Sequence, residues 1–245
     1  MSEFAIRTCD LGKRYWKTPT GRPAPPLERL RQAGQATACW AFRHVAFEVG
    51  VGDVFGVIGA NGAGKSTLLR VLARVTPPNE GWAEMRGTVG TLLAVGAGFH
   101  PEMTGRENVL LNAALLGMSR RDVRGGFDAI VSMAAVEDSI DVPVKRYSSG
   151  MKVRLGFAVA AQLRNDIILI DEVLALGDES FRRQAVGTLL RSAAEGRTVV
   201  LVSHELELIE ETCRRAAWLD DGKLQAIGAA SEVVGAYRAS VRAPA

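Results

Sequence analysis

The sequence predicts a mixed α/β domain that carries an inserted helical part. Two apolar stretches, DIILIDE (166–172) and TVVLVSH (198–204), indicate strands that are covered on both faces of a parallel sheet. A helical pattern over 179–195 separates them and completes a βαβ unit. A glycine-rich loop at 59–67, between a strand and a helix, points to the same class. Helical patterning over 102–165 predicts the insertion.

Length and composition limit the possible functions. The chain has 245 residues, enough for one large domain with a sizeable core. The formal net charge of +3 is too small to indicate nucleic-acid binding, although it is compatible with a position near an anionic membrane face. The sequence shows no secretion signal and no uninterrupted apolar run of roughly 18 residues. We therefore expect an intracellular protein whose membrane contact comes only through a partner.

The N-terminal part is predicted to be mostly β-structure. Residues 4–16 have the pattern of a strand and turn. A basic, proline-rich stretch at 17–39 predicts an irregular surface insertion. Residues 40–59 then alternate, turn between Gly50 and Asp53, and end in a buried strand.

A helix is predicted to begin after Lys65 and to stop at Pro77 and Pro78. Its apolar side consists of Leu68, Leu69, Leu72 and Val75.

The inserted part and the C-terminal part carry their own boundary signals. Thr104 with Glu107, and Ser119 with Asp122, both have the spacing of a capping box at a helix start. Near the C-terminus, AWLDDGKLQAIG predicts a hairpin that turns at Asp221 and Gly222. A last helix is predicted to end near residue 240.

The stretch GANGAGKST, from Gly59 to Thr67, fits the pattern G-x-x-x-x-G-K-[ST], and we call it the phosphate loop. Its glycines let backbone N–H groups curl around phosphates, Lys65 would reach the β- and γ-phosphates, and Ser66 would give a hydroxyl to Mg²⁺. A glycine-rich turn before a core helix is the simpler alternative. The strand before the loop and the helix after it favour the phosphate site.

Two predicted strand ends supply polar groups at the same sheet edge. Asp171 ends the first apolar strand, where a carboxylate can hold Mg²⁺ beside a phosphate loop. Glu172 follows it and could orient or deprotonate the attacking water. His204 ends the second apolar strand and should emerge beside Asp171, because ligands of open α/β sheets bind at those carboxyl ends. We expect His204 to contact the γ-phosphate.

A second anion site is predicted in RYSSGMKVRLGFAVA, residues 146–160. Ser148, Ser149 and Gly150 open a helix whose N–H groups and dipole favour an anion. The phosphate loop already supplies a helix N-terminus to the nucleotide it binds. A separate anion grip makes sense if two chains share two nucleotides, and an ordinary serine-capped helix is the alternative.

With these parts in order, the chain resembles an ATP-binding cassette ATPase, the ABC family, over nearly its full length. The combination consists of a phosphate loop, a helical insertion, a serine-glycine signature, a strand ending in Asp-Glu and a strand ending in His. The resemblance implies a RecA-like core sheet with an antiparallel β part and an inserted helical subdomain. The nucleotide-binding core would cover 1–101 and 166–245, with the helical subdomain at about 102–165.

The resemblance also implies the site residues. YSSGM, from Tyr147 to Met151, stands where the family carries its Leu-Ser-Gly-Gly-Gln signature, and we call it the signature segment. Tyr15 matches the aromatic residue that stacks on adenine, with Trp16 as the alternative, and Asp178 matches the acid of the loop between two cassettes. The implied ATP contacts are Tyr15, Gly59, Asn61, Gly62, Ala63, Gly64, Lys65, Ser66, Thr67, Ser148, Ser149, Gly150 and Asp178. Glu172, His204 and Lys65 are the implied catalytic residues, and Ser66 and Asp171 the implied Mg²⁺ ligands.

The sequence departs from the family pattern at two places. The third signature position is Ser149 instead of Gly, which adds a side chain where backbones approach closely. The family usually carries a Gln between the phosphate loop and the helical part, and the nearest residues here are Ala94 and Val95. Coupling and metal placement by that loop are therefore open.

The stretches GAGFHPEMTGREN, PVKRYSSGMKVR and DEVLALGDESF are similar to ATPase subunits of bacterial cell-surface polysaccharide exporters. This implies a homodimer that uses ATP and Mg²⁺ to drive export of a lipid-linked O-antigen, capsule or teichoic acid. It also implies two polytopic membrane permease subunits as partners, no nucleic acid, and a peripheral position on the cytoplasmic face of the inner membrane. Because the sequence ends soon after the cassette, we expect no carbohydrate-binding domain, and we expect Phe99–Met103 to contact the permease.

The ATPase subunit of another ABC exporter is an alternative within the same family, and two other classes of function also remain. A soluble cassette protein acting on ribosomes or DNA would usually join two cassettes or carry long coiled-coil insertions, and the sequence shows neither. A small phosphate-loop switch or kinase would need a base-reading motif such as Asn-Lys-x-Asp, which the sequence lacks. It would also leave the signature segment unexplained.

Overall fold

The computed structural model describes residues 4–17, 37–92, 98–171 and 179–242, which form two β-sheets and seven α-helices in these ranges. The strands are β1 (Phe4–Lys17), β2 (Thr37–Val45), β3 (Glu48–Gly50), β4 (Val54–Ile58), β5 (Glu80–Met85), β6 (Val89–Leu92), β7 (Ile167–Asp171), β8 (Thr198–Val202), β9 (Arg215–Asp220) and β10 (Lys223–Ala229). The helices are α1 (Lys65–Leu72), α2 (Gly105–Leu115), α3 (Arg120–Ala134), α4 (Ser149–Ala161), α5 (Glu179–Ala194), α6 (Leu206–Thr212) and α7 (Ala230–Arg242).

The larger sheet has six strands in the order β10-β9-β4-β8-β7-β6 and is parallel except for β10. Every residue of β4 and β8 is buried, because helices cover both faces. Phe55 and Val57 of β4 face the α1 side, and Val54 and Ile58 face the opposite side, where α5, α6 and α7 pack. The buried parallel sheet predicted from the two apolar stretches is present.

The smaller sheet is antiparallel and consists of β2, β1, β3 and β5. The long strand β1 joins it together: its C-terminal half pairs with β2, and its N-terminal half pairs with β3 and β5. Asp10 has a positive φ of 47° where the pairing changes, and the register shifts there. The sheet packs against α1 through β2.

The helices between β6 and β7 enclose a core of their own, which includes Val109, Ile130 and Leu155. The Thr104 hydroxyl accepts the Glu107 N–H, and the Glu107 carboxylate accepts the Thr104 N–H, so the predicted capping box is present. Ser119 caps α3 by accepting the N–H of Asp122. A separate subdomain at about 102–165 stays a prediction, which this packing supports.

The structure corrects two predictions from the sequence. Helix α1 ends at Leu72, where Ala73 caps it and Arg74 takes a positive φ of 57°. Val75 is therefore not on the apolar side of the helix, and 67% of it is exposed. The predicted insertion at 17–39 is also too wide, because Lys17 belongs to β1 and residues 37–39 belong to β2. The remaining 18–36 lie outside the described residues.

The C-terminal elements follow the prediction. Strands β9 and β10 form the predicted hairpin, with positive φ values of 43° at Asp221 and 70° at Gly222. Helix α7 packs on β9 and α6, and Arg238 bonds to Glu207 and Glu210 of α6. Among the residues placed by the structure, no helix combines the length and apolar character needed to cross a membrane.

Candidate functional site

The candidate site lies at the carboxyl ends of three neighbouring strands. In the parallel register, Val57 of β4 lies beside Val202 of β8, and Val202 lies beside Asp171 of β7. The phosphate loop begins two residues after Val57, and His204 comes two residues after Val202. The sheet therefore brings the phosphate loop, His204 and Asp171 to one edge, as the sequence predicts.

The backbone of the phosphate loop depends on two glycines. Gly59 has φ 147°, and a Cβ placed there would come within 1.9 Å of the Leu219 carbonyl oxygen. Gly64 has φ 104°, and its Cβ would come within 2.3 Å of the Ala41 carbonyl oxygen. The same Ala41 oxygen lies 2.9 Å from a Cβ built on Gly222. Side chains at these positions would push neighbouring backbone away from the loop.

Lys65 is folded into the phosphate loop. Its side chain is 5% exposed, and its ammonium donates to the carbonyl oxygens of Gly59 (2.7 Å) and Ala60 (3.0 Å). A cleft of about 230 Å³ opens beside the loop. It is lined by Ala41, Asn61, Gly62, Gly64, Lys65, Ser66 and Thr67, whereas Ala63 is buried. The cleft collects backbone N–H groups, two hydroxyls and one buried cation, which suits a bound phosphate.

Asp171 and His204 emerge from the same sheet edge as the phosphate loop, although neither is among the residues that line this cleft. Asp171 is half-buried and its Oδ1 atom is shielded from solvent, while α1 packs against β7. His204 is exposed and follows Ser203, which is buried. Glu172 and Asp178 lie outside the described residues, as do 94–95, where the family Gln is missing.

The two adenine-stacking candidates lie on opposite faces of the small sheet, because successive side chains of a strand alternate. Lys13 donates to the Pro77 carbonyl oxygen (2.6 Å), just beyond α1, and its ammonium lies 5.4 Å from the Tyr15 ring centroid. Tyr15 therefore faces the α1 side. Trp16 lies on the other face beside Arg14, whose guanidinium carbon is 5.7 Å from the Trp16 ring centroid.

The signature segment opens α4. The Ser148 hydroxyl accepts the Met151 N–H at 3.1 Å, which makes Ser148 the N-cap. Ser148 and Ser149 are exposed, and a Cβ on Gly150 would meet nothing described closer than the Ser148 hydroxyl at 3.9 Å. The fold of one chain therefore does not require glycine at 150.

Tyr147, the first residue of the signature segment, is buried and anchors the segment to the rest of the helical part. Its ring is 5% exposed, and its hydroxyl donates to the Ser139 carbonyl oxygen at 2.6 Å. Burial, and then the negative charge of Asp141, raise the pKa of the Tyr147 phenol above its usual value, so it remains a neutral donor.

A comparison with protein families decides which family these residues belong to. The family model described as ABC transporter matches residues 42–175, which is more than half of the chain. The chain belongs to the ABC transporter family.

Curated relatives agree with the ABC assignment. The chain is 42% identical to the O-antigen export system ATP-binding protein RfbB of Myxococcus xanthus and 41% identical to RfbB of Klebsiella pneumoniae. It is also 42% identical to the teichoic acids export ATP-binding protein TagH of Levilactobacillus brevis. These matches cover 88%, 81% and 81% of this chain. The chain spans about half the length of the first and third relatives (49% and 55%) and 80% of the second.

A solved ABC structure has the same fold. The dimeric, post-hydrolysis ATP-binding cassette MJ0796, bound to ADP and Pi, matches with a TM-score of 0.75 at 20% identity. The match covers 92% of this chain and 98% of that chain. The predicted fold class, an α/β cassette core with an antiparallel β part, is confirmed.

Two residues, one near the site and one near Phe99–Met103, were not predicted from the sequence. Ala41 of β2 borders the phosphate cleft, and nothing in its local sequence distinguishes it. Asn108 is fully buried in α2 and holds the loop before it: its amide donates to the carbonyl oxygens of His100, Met103 and Thr104, and its Oδ1 accepts the His100 N–H at 2.7 Å. Neither residue carries a local sequence signal, because each acquires its role only through contacts with other parts of the chain.

Proposed function

We propose that this chain is the ATP-hydrolysing subunit of an exporter that moves a lipid-linked cell-surface polysaccharide across the cytoplasmic membrane. The observation that carries the proposal is the sheet edge, where the phosphate loop, His204 and Asp171 emerge side by side. Relatives named for O-antigen and teichoic acid export support the polysaccharide class.

Catalysis in this proposal is mostly positioning and charge stabilisation. The phosphate-loop amides and Lys65 bind the β- and γ-phosphates. Lys65 exchanges contacts with its own loop carbonyls for phosphate oxygens, so its charge stays solvated by polar groups. His204 contacts the γ-phosphate, and Glu172 orients or deprotonates the attacking water.

The residues at the cleft fit a bound Mg²⁺. Ser66 contributes a hydroxyl to the cleft lining, and Asp171 ends β7 with a solvent-shielded carboxylate oxygen. Both are hard oxygen ligands of the kind that Mg²⁺ prefers. The bound ion would neutralise charge on the phosphate oxygens, and these two residues would hold it. Tyr15, on the α1 side of the small sheet, would stack on adenine in preference to Trp16.

Two copies of the chain would share two nucleotides. Ser148 and Ser149 are exposed at the start of α4, Gly150 is half-buried, and the fold of one chain leaves room for a side chain at Gly150. In a head-to-tail homodimer this helix N-terminus would grip the γ-phosphate bound by the other chain, with Asp178 at the interface. The dimeric state of the similar cassette supports this arrangement.

The surface around Phe99–Met103 is proposed to bind the polytopic membrane permease. We call Phe99–Met103 the contact stretch. It adjoins a cavity of about 500 Å³ between α2 and α3. The apolar lining includes Met103, Leu110, Leu111 and Met118, and the charged lining residues are Glu107, Arg120 and Arg124. An amphipathic permease helix would fit there. The chain would then sit peripherally on the cytoplasmic face of the membrane.

ATP closure of the dimer would move the helical part as a unit and so transmit force through the contact stretch. The separate core of α2, α3 and α4 supports a rigid unit.

The experiment compares Lys65→Ala with Arg70→Ala, an exposed residue of the same helix. We expect Lys65→Ala to abolish ATP hydrolysis by the purified protein and to remove surface glycan from cells, while Arg70→Ala keeps both. Normal surface glycan in Lys65→Ala cells would reject the export function. Co-sedimentation with ribosomes in place of a polytopic membrane protein would favour the soluble alternative.

A second measurement tests the shared site. Glu172→Gln should form a dimer when ATP is added and a monomer without it, measured by size-exclusion chromatography with light scattering. A monomeric chain that hydrolyses ATP at full rate would contradict the shared site.

A further inference from the structure

An ion pair joins α5 to the turn that carries His204. The Arg182 guanidinium lies 2.8 Å from Glu205 Oε2, and the two side chains are 28% and 25% exposed. Glu205 Oε2 itself is shielded from solvent and accepts no hydrogen bond of good geometry from the described residues. The guanidinium charge is therefore the main support of this shielded oxygen, in contrast to the open surface pairs of the chain.

Both ends of the pair are fixed to parts of the site. Arg182 is in the first turn of α5, directly after the 172–178 stretch, and its neighbour Phe181 packs edge-on against Phe157 of α4 with ring centroids 5.5 Å apart. Glu205 directly follows His204, and its N–H donates to the Ser203 hydroxyl at 3.0 Å.

In the turn between β8 and α6, the Ser203 N–H donates to the Val57 carbonyl oxygen and the Ile209 N–H donates to the Glu205 carbonyl oxygen. Glu205 is the N-cap of α6, yet its side chain makes no capping bond. The carboxylate turns to Arg182 instead of capping its own helix. The direction of the Glu205 side chain is thus set by a contact from a different element, in addition to the hydrogen bonds within the turn.

We infer that Arg182 and Glu205 are positioning residues for His204 and hold its imidazole at the edge of the phosphate cleft. The inference rests on the proposed ATPase function. Without Arg182, the shielded carboxylate oxygen must move toward water, and the adjacent His204 moves with it. A shift of about 1 Å in a positioned group can lower a rate by about 100-fold.

The test uses Arg182→Met, which keeps the aliphatic stem and removes the charge. Its matched control is Arg183→Met on the next residue, whose side chain is 78% exposed and pairs only with Glu179 among the described residues. We expect kcat to fall by at least about 10-fold in Arg182→Met, with the KM for ATP within about 2-fold, and neither to change in the control.

A double-mutant cycle separates positioning from general stabilisation. In a His204→Ala background, Arg182→Met should change kcat by less than about 2-fold, because the group it positions is gone. The charge-reversed pair, Arg182→Glu with Glu205→Arg, should recover part of the lost rate. Full additivity of Arg182→Met and His204→Ala, or an equal loss in Arg183→Met, would overturn the inference.

A measurement that needs no activity keeps the inference apart from the proposed function. The chain has three histidines, so the His204 imidazole resonances can be assigned by comparison with His204→Ala. Arg182→Met should shift these resonances and leave those of His44 and His100 in place. An unchanged His204 spectrum refutes the inference even if the wild-type chain proves to have no ATPase activity, which would refute only the proposed function.

Discussion

Asn108 is expected to hold the contact stretch, and its replacement by Ala tests that role. Asn108 is fully buried, and its amide spans the loop from His100 to Thr104. After truncation the three carbonyl oxygens keep other donors, from the N–H groups of Met103, Val144 and residue 108 itself. The His100 N–H loses its acceptor.

The magnitude follows from this inventory. One unpaired N–H costs about 1–3 kcal/mol and the cavity left by the amide about 1 kcal/mol, so we expect a loss of about 3 kcal/mol. For a chain of this size that is a fall in Tm of about 6–12 °C. Thermal unfolding followed by circular dichroism measures it. Basal ATPase activity should remain at 20 °C, whereas export, measured as surface glycan, should fall.

Asn112→Ala is the matched control on the same helix. Asn112 is half-buried, and within the part of the chain that the structure describes its amide makes one hydrogen bond, to the Asn108 carbonyl oxygen at 3.1 Å. We expect a loss below about 1 kcal/mol, or a Tm shift under about 4 °C. If Asn108→Ala unfolds at the same temperature as Asn112→Ala, the assigned role of Asn108 is wrong.

Three further outcomes are expected. Gly150→Ala should leave Tm unchanged, because a Cβ there meets nothing described within 3.9 Å. It should lower ATPase activity at least about 10-fold, because the nucleotide of the partner chain approaches this position in the proposed dimer. ATPase activity equal to that of the wild type would contradict the shared site. Tyr15→Ala should raise the KM for ATP by about 10-fold through lost stacking, and Trp16→Ala should not; the reverse result would move the adenine to the other face of the sheet. The backbone N–H and then the hydroxyl of Thr88 lower the pKa of Asp166. The Asp166 carboxylate therefore stabilises the fold above its unfolded pKa of about 4. This contribution disappears as the pH falls through the lower pKa of the folded state. Asp166→Asn should therefore lower Tm at pH 7 and progressively less below about pH 4, and a pH-independent difference would refute the linkage.

Features encoded in short stretches were predictable from the sequence. The strands β7 and β8 are uninterrupted apolar runs, and the phosphate loop is a contiguous motif, so the edge where Asp171 and His204 emerge follows from strand order alone. The hairpin at Asp221 and Gly222 was equally local, because both residues tolerate positive φ.

The end of α1 could not be predicted from its neighbours. The prolines suggested a stop near Pro77, but the helix ends at Leu72, and Arg74 adopts the left-handed conformation there without the Gly or Asn that usually marks such a cap. The Lys13 ammonium, which bonds the Pro77 carbonyl oxygen, binds this region from another strand.

Long-range contacts explain the remaining omissions. Asn108 has the sequence context of an ordinary helical residue, and its hydrogen bonds exist only once the preceding loop folds back on α2. Arg182 and Glu205 are separated by the whole of β8, so their pairing depends on how α5 packs against the sheet.

The carbonyl of Ala41, enclosed by Gly64 and Gly222, acts as a spacer between the small sheet and the phosphate loop. The gap from the proposed stacking face of Tyr15 to Lys65 is then set by main-chain atoms, and a side chain at Gly64 or Gly222 would change it by displacing this carbonyl. A fixed distance selects the length of the nucleotide from base to phosphate more strictly than it selects the base. Any purine or pyrimidine offers a flat surface for stacking. GTP and CTP should therefore be accepted as substitutes far more readily than a shortened phosphate chain.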